Sequence, residues 1–159
     1  MFFGKEIVEI LESLGVTHVV WLPDSVLGPW ESALEASPMK LVRICREGEA
    51  WPLAAGLFLG GKSPVVVMQA TGLFESGDAL RNTLFDLQLP IYAMVGARSW
   101  LVEGSRDSAK RFVEPILRAW GIDYVLIASE AQKSQLGVHY LACRKADRAG
   151  VALIAEGRM

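Results

Sequence analysis

Residues 39–61 read MKLVRICREGEAWPLAAGLFLGG and contain an abrupt change from strand to helix. A strand-like run ends at Cys45, and an apolar segment that is long enough to form a helix begins near Trp51. Three charged residues stand between them: Arg46, Glu47 and Glu49. A carboxylate at the junction of a buried strand and a buried helix is unusual, because an unpaired charge resists burial. Glu47 is therefore the first candidate functional residue.

The same alternation of strand and helix continues through the rest of the chain. The predicted strands lie within THVVWLP, MKLVRIC, PVVVMQ, PIYAMVGA, DYVLIA and VALIAE. The predicted helices cover residues 4–14 (ended by Gly15), 29–36, 47–61, 71–87, 109–120 and 130–149, with an irregular polar segment at 98–108. Short apolar strands that alternate with helices predict right-handed βαβ units and a parallel sheet covered on both faces. We expect one three-layer α/β/α domain over residues 1–159, with a mostly parallel sheet of about six strands.

Composition limits the classes of partner. Of the 159 residues, 52% are hydrophobic and only 21% are charged, so we expect part of the apolar surface to meet another chain. The net charge of −2 and the lack of a basic tract argue against a nucleic-acid partner. The longest apolar stretch, 51–61, is too short to cross a bilayer, and the acidic start of the chain does not resemble a signal peptide. These features predict a cytoplasmic protein that binds no membrane.

Several common chemistries have no motif in the sequence. GxGxxG, GxxxxGK[ST] and GxSxG are all absent. Cys45 and Cys143 have apolar neighbours and are expected to be reduced core residues, and His18 and His139 have no partner at metal-ligand or triad spacing. We therefore expect no metal site within this chain, and a cofactor that carries the chemistry.

Ligands of parallel α/β sheets bind beyond the carboxyl ends of the strands. Besides Glu47, the polar residues and glycine expected there are Asp24, Ser25, Gln69, Thr71, Gly72 and Arg98. Several of these residues also have a simpler interpretation. Asp24 or Thr71 can be a helix N-cap, Arg98 a solvated surface residue, and Glu47 itself an ordinary first-turn glutamate.

The block EGEAWPLAAG, with alanine three residues and glycine nine residues after Glu47, resembles the glutamate helix of thiamine diphosphate enzymes. More narrowly, the chain is similar to the α subunit of sulfopyruvate decarboxylase and the N-terminal domain of phosphonopyruvate decarboxylase. Further resemblance lies in VVWLPDSVLGPW, SPVVVMQATGL, VGAR, GIDYVLI and VALIAEG. The chain departs from those relatives where they tend to have SGLGN, since it has TGLFE with Phe74 and Glu75.

The resemblance implies a pyrimidine-binding domain in which Glu47 is catalytic and hydrogen-bonds N1′ of the cofactor's aminopyrimidine. It also implies that Asp24, Gln69, Thr71 and Gly72 line the cofactor cleft, and that Ser25 and Arg98 approach the substrate. The diphosphate and Mg²⁺ belong to a second domain with GDG and a later asparagine. The only asparagine here is Asn82, so we expect a diphosphate-binding β subunit as partner.

The function implied is that of the α subunit of a hetero-oligomeric, thiamine diphosphate-dependent 2-oxo acid decarboxylase. Small acids like sulfopyruvate or phosphonopyruvate are the expected substrates. Two alternatives remain open at this point: a carboligase or acyl-transfer subunit with the same cofactor, and a non-catalytic regulatory subunit with the same fold.

Overall fold

The computed structural model describes residues 2–25 and 27–157. Within those ranges it contains one six-stranded sheet, with strand order β2-β1-β3-β4-β6-β5 and parallel pairing throughout. The strands are β1 His18–Trp21, β2 Lys40–Arg43, β3 Pro64–Gln69, β4 Tyr92–Ala97, β5 Tyr124–Ile127 and β6 Gly150–Ala155. The predicted fold class is confirmed, and the sheet is parallel in full.

Helices connect the strands, as the alternation predicted. They are α1 Gly4–Ser13, α2 Glu31–Glu35, α3 Ala50–Leu59, α4 Ala70–Glu75, α5 Gly77–Arg81, α6 Ser108–Ala119 and α7 Gln135–Lys145. α1 ends at Gly15 as expected, because this glycine takes a φ of +72° and the N–H of Val16 then reaches the carbonyl of Leu11 at 3.0 Å. The segment between β4 and α6 is irregular, also as expected.

The sheet separates two apolar cores. Alternate residues of β3 belong to different clusters, with Val66 and Met68 on one face and Val65 and Val67 on the other. Helices α3 to α6 cover the first face, while α1, α2 and α7 cover the second. The central strands β3, β4 and β6 are buried almost along their whole length, which explains their nearly continuous apolar sequences.

The strand order creates a switch point between β1 and β3. The chain passes from β1 to β2 on one side, and then crosses by way of α3 to β3 on the other side of β1. At such a point the connections leave the sheet in opposite directions and open a crevice beyond the carboxyl ends of the two strands. The loop after β1 and the first turn of α4, which directly follows β3, therefore border the site that the sheet offers to a ligand.

The prediction of one continuous helix over residues 71–87 is wrong. This stretch is divided at Ser76 into α4 and α5, and the segment Asn82–Asp86 winds as a π-helical turn in which the N–H of Leu87 reaches the carbonyl of Asn82. Ser76 is 1% exposed, and its hydroxyl accepts the indole N–H of Trp51 at 2.9 Å. The break between α4 and α5 therefore lies at a buried hydrogen bond to α3.

Two further expectations need correction. The last helix is shorter than 130–149, since a 3₁₀ turn at Glu130–Gln132 precedes α7 and Asp147 adopts a positive φ of 49° after it. Cys143 is buried, but Cys45 is exposed because it follows β2, which is one of the two edge strands of the sheet. Pro52 lies in the first turn of α3, where a backbone N–H has no acceptor within the helix, and is therefore tolerated.

The surface keeps a substantial apolar component. Large hydrophobic side chains at least 36% exposed include Leu53, Leu59, Phe85, Leu87, Phe112, Trp120, Val138 and Leu141. None of the helices in the described residues combines the length and the apolar character needed to cross a membrane.

Candidate active site

Glu47 begins a 3₁₀ turn, Glu47–Glu49, between β2 and α3, and its side chain is half-buried. The carboxylate lies directly on Gly72. An ideal Cβ placed on Gly72 would be 2.5 Å from Cγ of Glu47 and 2.7 Å from its Oε1. The carboxylate thus occupies the space that any side chain at position 72 would need. Two predicted site residues, one in the turn after β2 and one in the first turn of α4, are in this way brought into contact at the carboxyl edge of the sheet.

Gln69 and Thr71 lie beside this contact. Gln69 ends β3 and is the N-cap residue of α4, while Thr71 follows in the first helical turn. The hydroxyl of Thr71 donates to Oε1 of Gln69 at 2.9 Å. The alternative of Thr71 as an N-cap is therefore wrong. Its hydroxyl instead fixes the Gln69 side chain at the mouth of the crevice.

Glu75 anchors the turn that carries Glu47. Its carboxylate accepts two hydrogen bonds, one from the backbone N–H of Gly48 at 3.0 Å and one from Nε–H of Arg46 at 2.5 Å. The hydrogen bond from this carboxylate raises the pKa of the Arg46 guanidinium. One side chain at the end of α4 thus binds the residues on both sides of Glu47 along the chain.

The sequence alone does not predict this role of Glu75, which there is only a departure from the family pattern. The available signal was its charge, since this chain has an acidic residue where the relatives tend to have an amide. The pairing itself joins residues 29 positions apart, so it could be recognised only in the folded chain.

Asp24 and Ser25 lie in the turn after β1. Oδ1 of Asp24 accepts the N–H of Leu27 at 2.9 Å, so its carboxylate caps this turn rather than the helical segment that begins at Gly28. Leu27 packs on Gly96, since a Cβ there would lie 3.4 Å from the leucine Cγ. The β1 loop is therefore folded back across the end of β4. Asp24 is half-buried within it and Ser25 is exposed.

Arg98 follows β4 and is drawn toward α6. Its Nε lies 3.0 Å from Oδ2 of Asp107, the N-cap residue of that helix. The same carboxylate accepts the hydroxyl of Ser99 at 2.9 Å. Arg98 is 39% exposed and so is neither a free surface arginine nor a buried one. The structure does not bring it into contact with Glu47, and its role toward a substrate stays a prediction.

A second polar cluster lies at the opposite edge of the sheet, around His139. The expectation that this histidine has no partner at metal-ligand spacing is wrong. Cys143 follows four residues later on the same face of α7, and Asp123 approaches both from the start of β5. Asp123 was overlooked because it lies 16 residues before His139 along the chain.

The family model "Thiamine pyrophosphate enzyme, N-terminal TPP binding domain" matches residues 1–99, more than half of the chain. The matched region runs from α1 through β4 and includes both Glu47 and Gly72. It therefore covers the switch point and the loops that border it.

Individual proteins agree with this match. The chain is 32% identical over 150 residues to phosphonopyruvate decarboxylase from Streptomyces viridochromogenes, covering 91% of this chain and 37% of that protein. It is 23% identical over 154 residues to sulfopyruvate decarboxylase from Methanosarcina acetivorans, covering 95% of this chain and 39% of that protein. The chain thus spans well under half the length of these relatives.

A solved structure supports the same fold. A protein from Mycobacterium smegmatis, assigned as a thiamin diphosphate-dependent enzyme, superposes with a TM-score of 0.72 over 97% of this chain and 30% of its own. Its sequence identity is 16%, so this likeness supports the fold alone. With the family match across the switch point and the two decarboxylase relatives, the resemblance noted in the sequence is confirmed: the chain belongs to the thiamine pyrophosphate enzymes, in the family of their N-terminal TPP binding domain.

Proposed function

We propose that this chain is the pyrimidine-binding subunit of a thiamine diphosphate-dependent 2-oxo acid decarboxylase, with Glu47 as its catalytic residue. The observation that carries the proposal is the contact between Glu47 and Gly72. It sets a half-buried carboxylate at the carboxyl edge of the sheet, next to a residue without a side chain. A flat heterocycle can approach such a carboxylate without meeting a neighbouring side chain at position 72.

The residues at the crevice suit the aminopyrimidine. Glu47 can hydrogen-bond N1′ and exchange a proton with it, while Gly48 and Gly72 place no side chain beside its carboxylate. Gln69 and Thr71 add polar groups at the start of α4, and Asp24 adds one in the loop after β1. Bound thiamine diphosphate supplies the nucleophilic carbon and the electron sink that loss of carbon dioxide from a 2-oxo acid requires. The role of this chain is to hold the pyrimidine ring and to transfer the proton at N1′.

The diphosphate and Mg²⁺ are proposed to bind to a partner subunit. The sequence has no GDG followed by a later asparagine, and the relatives contain much sequence beyond the matched region. The exposed apolar side chains on α3 and on the turn after α5 provide surface for such a partner.

The proposed substrates are small 2-oxo acids with a second acidic group, like sulfopyruvate and phosphonopyruvate. The names of the two curated relatives support this class. Ser25 and Arg98 are proposed to approach the substrate. Arg98 would then have to exchange its ion pair with Asp107 for one with the substrate's acidic tail.

The test is the exchange of the C2 proton of thiamine diphosphate, followed by NMR in the complex of this chain with its GDG-containing partner. Glu47→Gln keeps the size and loses the titratable proton, so exchange should fall by about 100-fold or more. The chain alone, with thiamine diphosphate and Mg²⁺, should bind the cofactor weakly and show no decarboxylation.

Glu49→Gln is the matched control. Glu49 is exposed two residues away, and its carboxylate accepts the N–H of Cys45, which a glutamine oxygen can also do. This variant should exchange at the normal rate. Near-normal exchange in Glu47→Gln, or equal losses in both variants, would contradict the role of Glu47.

A further inference from the structure

Three potential metal ligands meet at the amino edge of the sheet, on the far side from Glu47. They are Oδ2 of Asp123 before β5, Nε2 of His139 and Sγ of Cys143, both on α7. His139 and Cys143 are four residues apart and share one face of the helix. Neither the proposed decarboxylation nor the cofactor crevice uses any of the three.

The distances among these atoms match one face of a tetrahedral zinc site. Nε2 lies 3.3 Å from Oδ2 and 3.7 Å from Sγ, and Sγ lies 3.8 Å from Oδ2. Zinc bonds of about 2.0–2.3 Å at tetrahedral angles separate nitrogen from oxygen by about 3.3 Å, and sulfur from either by about 3.6 Å. The three atoms therefore need to move by only a few tenths of an ångström to share one ion.

The surroundings orient the ligands. The hydroxyl of Tyr92 is 2.8 Å from Nδ1 of His139, so Nδ1–H can donate to it and leave the lone pair of Nε2 toward Asp123 and Cys143. Gly150 opens β6 directly beneath the cluster, and any side chain there would collide with Sγ of Cys143. Cys143 is 1% exposed and the His139 side chain 13%, whereas Asp123 is 36% exposed. The site is thus closed toward the core and reaches solvent through Asp123.

The positive charge of Arg148 disfavours cation binding at this cluster. Its Nη2 lies 2.6 Å from the same Oδ2 of Asp123 and would repel a divalent ion. The Arg148 side chain is 53% exposed, however, and belongs to the loop between α7 and β6. It can move into water when an ion takes the carboxylate, so it weakens the site without blocking it.

We propose that Asp123, His139 and Cys143 form a binding site for a zinc-type divalent cation, with water as the fourth ligand. The combination of thiolate, imidazole and carboxylate suits zinc and its substitute cobalt, and does not suit magnesium. On binding, Cys143 releases its proton to solvent and coordinates as thiolate. The bound ion fastens α7 to the start of β5, away from the cofactor, so the site stands independently of the proposed decarboxylation.

Cobalt(II) titration of the chelator-treated chain tests the site, without thiamine diphosphate or Mg²⁺. The wild type should develop a thiolate-to-cobalt charge-transfer band and the strong visible bands of four-coordinate cobalt, both displaced by zinc. Cys143→Ser should lose the charge-transfer band, and His139→Gln should weaken cobalt binding by at least about tenfold. Arg148→Gln should bind about tenfold more tightly than the wild type, since the competing cation is gone.

Cys45→Ser is the matched control, because Cys45 is the other cysteine of the chain and lies exposed near the opposite edge. It should keep the full cobalt spectrum, which excludes adventitious binding at that thiol. Circular dichroism without metal checks that each variant is folded. Zinc should raise the melting temperature of the wild type, Cys45→Ser and Arg148→Gln, and should raise it less in Cys143→Ser and His139→Gln. An absent charge-transfer band in the wild type, or an identical spectrum in Cys143→Ser, would overturn the proposal.

Discussion

Glu47 has room for its carboxylate because residue 72 is a glycine. The side chain reaches from the turn after β2 to the first turn of α4. Glu75 holds the turn that carries Glu47, because its carboxylate accepts the N–H of Gly48. The position of the carboxylate thus depends on one missing side chain and on one anchoring contact. Both can be changed without altering Glu47 itself.

Gly72→Ala tests the first of these. The added Cβ would lie 2.5 Å from Cγ of Glu47, so the glutamate side chain has to move. In the complex with the partner, C2-proton exchange of the cofactor should fall by about 100-fold, as expected for a misplaced catalytic group. Overpacking should also reduce the free energy of unfolding by about 1–3 kcal/mol, measured by urea denaturation.

Gly137→Ala is the comparison variant, since its Cβ would meet Leu14 at an ordinary 3.8 Å inside α7. It should retain exchange and gain about 0.5–1 kcal/mol of stability. Normal exchange in Gly72→Ala would mean that Glu47 does not function from the position described.

Single residues were predictable to the extent that local sequence determines them. Glu47 stood out because charge followed a strand and preceded an apolar helix, and Gly72 because it followed the next strand. Glu75, Asp107 and Asp123 were not recognised, because each acquires its partners only when distant segments meet.

At the scale of elements, α3 and the break after α4 are tied by one buried hydrogen bond between Trp51 and Ser76. Ser76→Ala would leave the buried indole N–H unpaired, and should lower the free energy of unfolding by about 1–3 kcal/mol. In a Trp51→Phe background the same substitution should cost about 1 kcal/mol less, because the donor is already gone. Urea denaturation of the four proteins measures this coupling, and strictly additive losses would contradict it.

The N-terminus of α6 provides a dependence on pH. The backbone N–H of Ala109, with help from Ser99 and Arg98, lowers the pKa of Asp107. A lowered folded-state pKa gives stability that is complete above the unfolded value of about 3.9 and is lost as the pH falls through the folded value. Asp107→Asn keeps the oxygen but not the charge, so it should be less stable by about 0.3–1 kcal/mol at pH 7.

That difference between wild type and Asp107→Asn should shrink when urea denaturation is repeated near pH 3. An equal difference at both values of pH would show that the charge of Asp107 contributes nothing to the cap.

The type of each element followed from periodicity, but some boundaries did not. The helix over 71–87 was predicted as continuous because its apolar residues keep helical spacing across the break. The buried bond of Ser76 to Trp51 is a tertiary contact, and it overrides that local preference.

At the scale of the whole molecule, the parallel sheet was predictable because buried strands of this kind need a helix on each face. The strand order was not, since any order with right-handed crossovers fits the same pattern. This order forms the switch point between β1 and β3. The sequence therefore predicted that the site lies at the carboxyl edge of the sheet, but not that it lies between these two strands.

The apolar surface on the α3 side gives the last prediction. Leu59, 72% exposed, ends α3 beside Leu87 and lines a groove of about 440 Å³ with Gly56 and Asn82. If the diphosphate-binding partner covers this face, Leu59→Lys should weaken its association at least about tenfold in sedimentation or light-scattering titrations. Because Leu59 is exposed, the stability of the isolated chain should change by no more than about 0.5 kcal/mol.

Val138→Lys is the matched variant on the opposite face of the sheet, where Val138 is 69% exposed on α7. It should associate normally, since only the α3 face lies on the same side as the turn that carries Glu47. The reverse result would place the partner on the α7 face. Equal affinities for the wild type and both variants would show that neither apolar surface binds the partner. Because association is measured without substrate, this outcome separates the interface from the chemistry of Glu47.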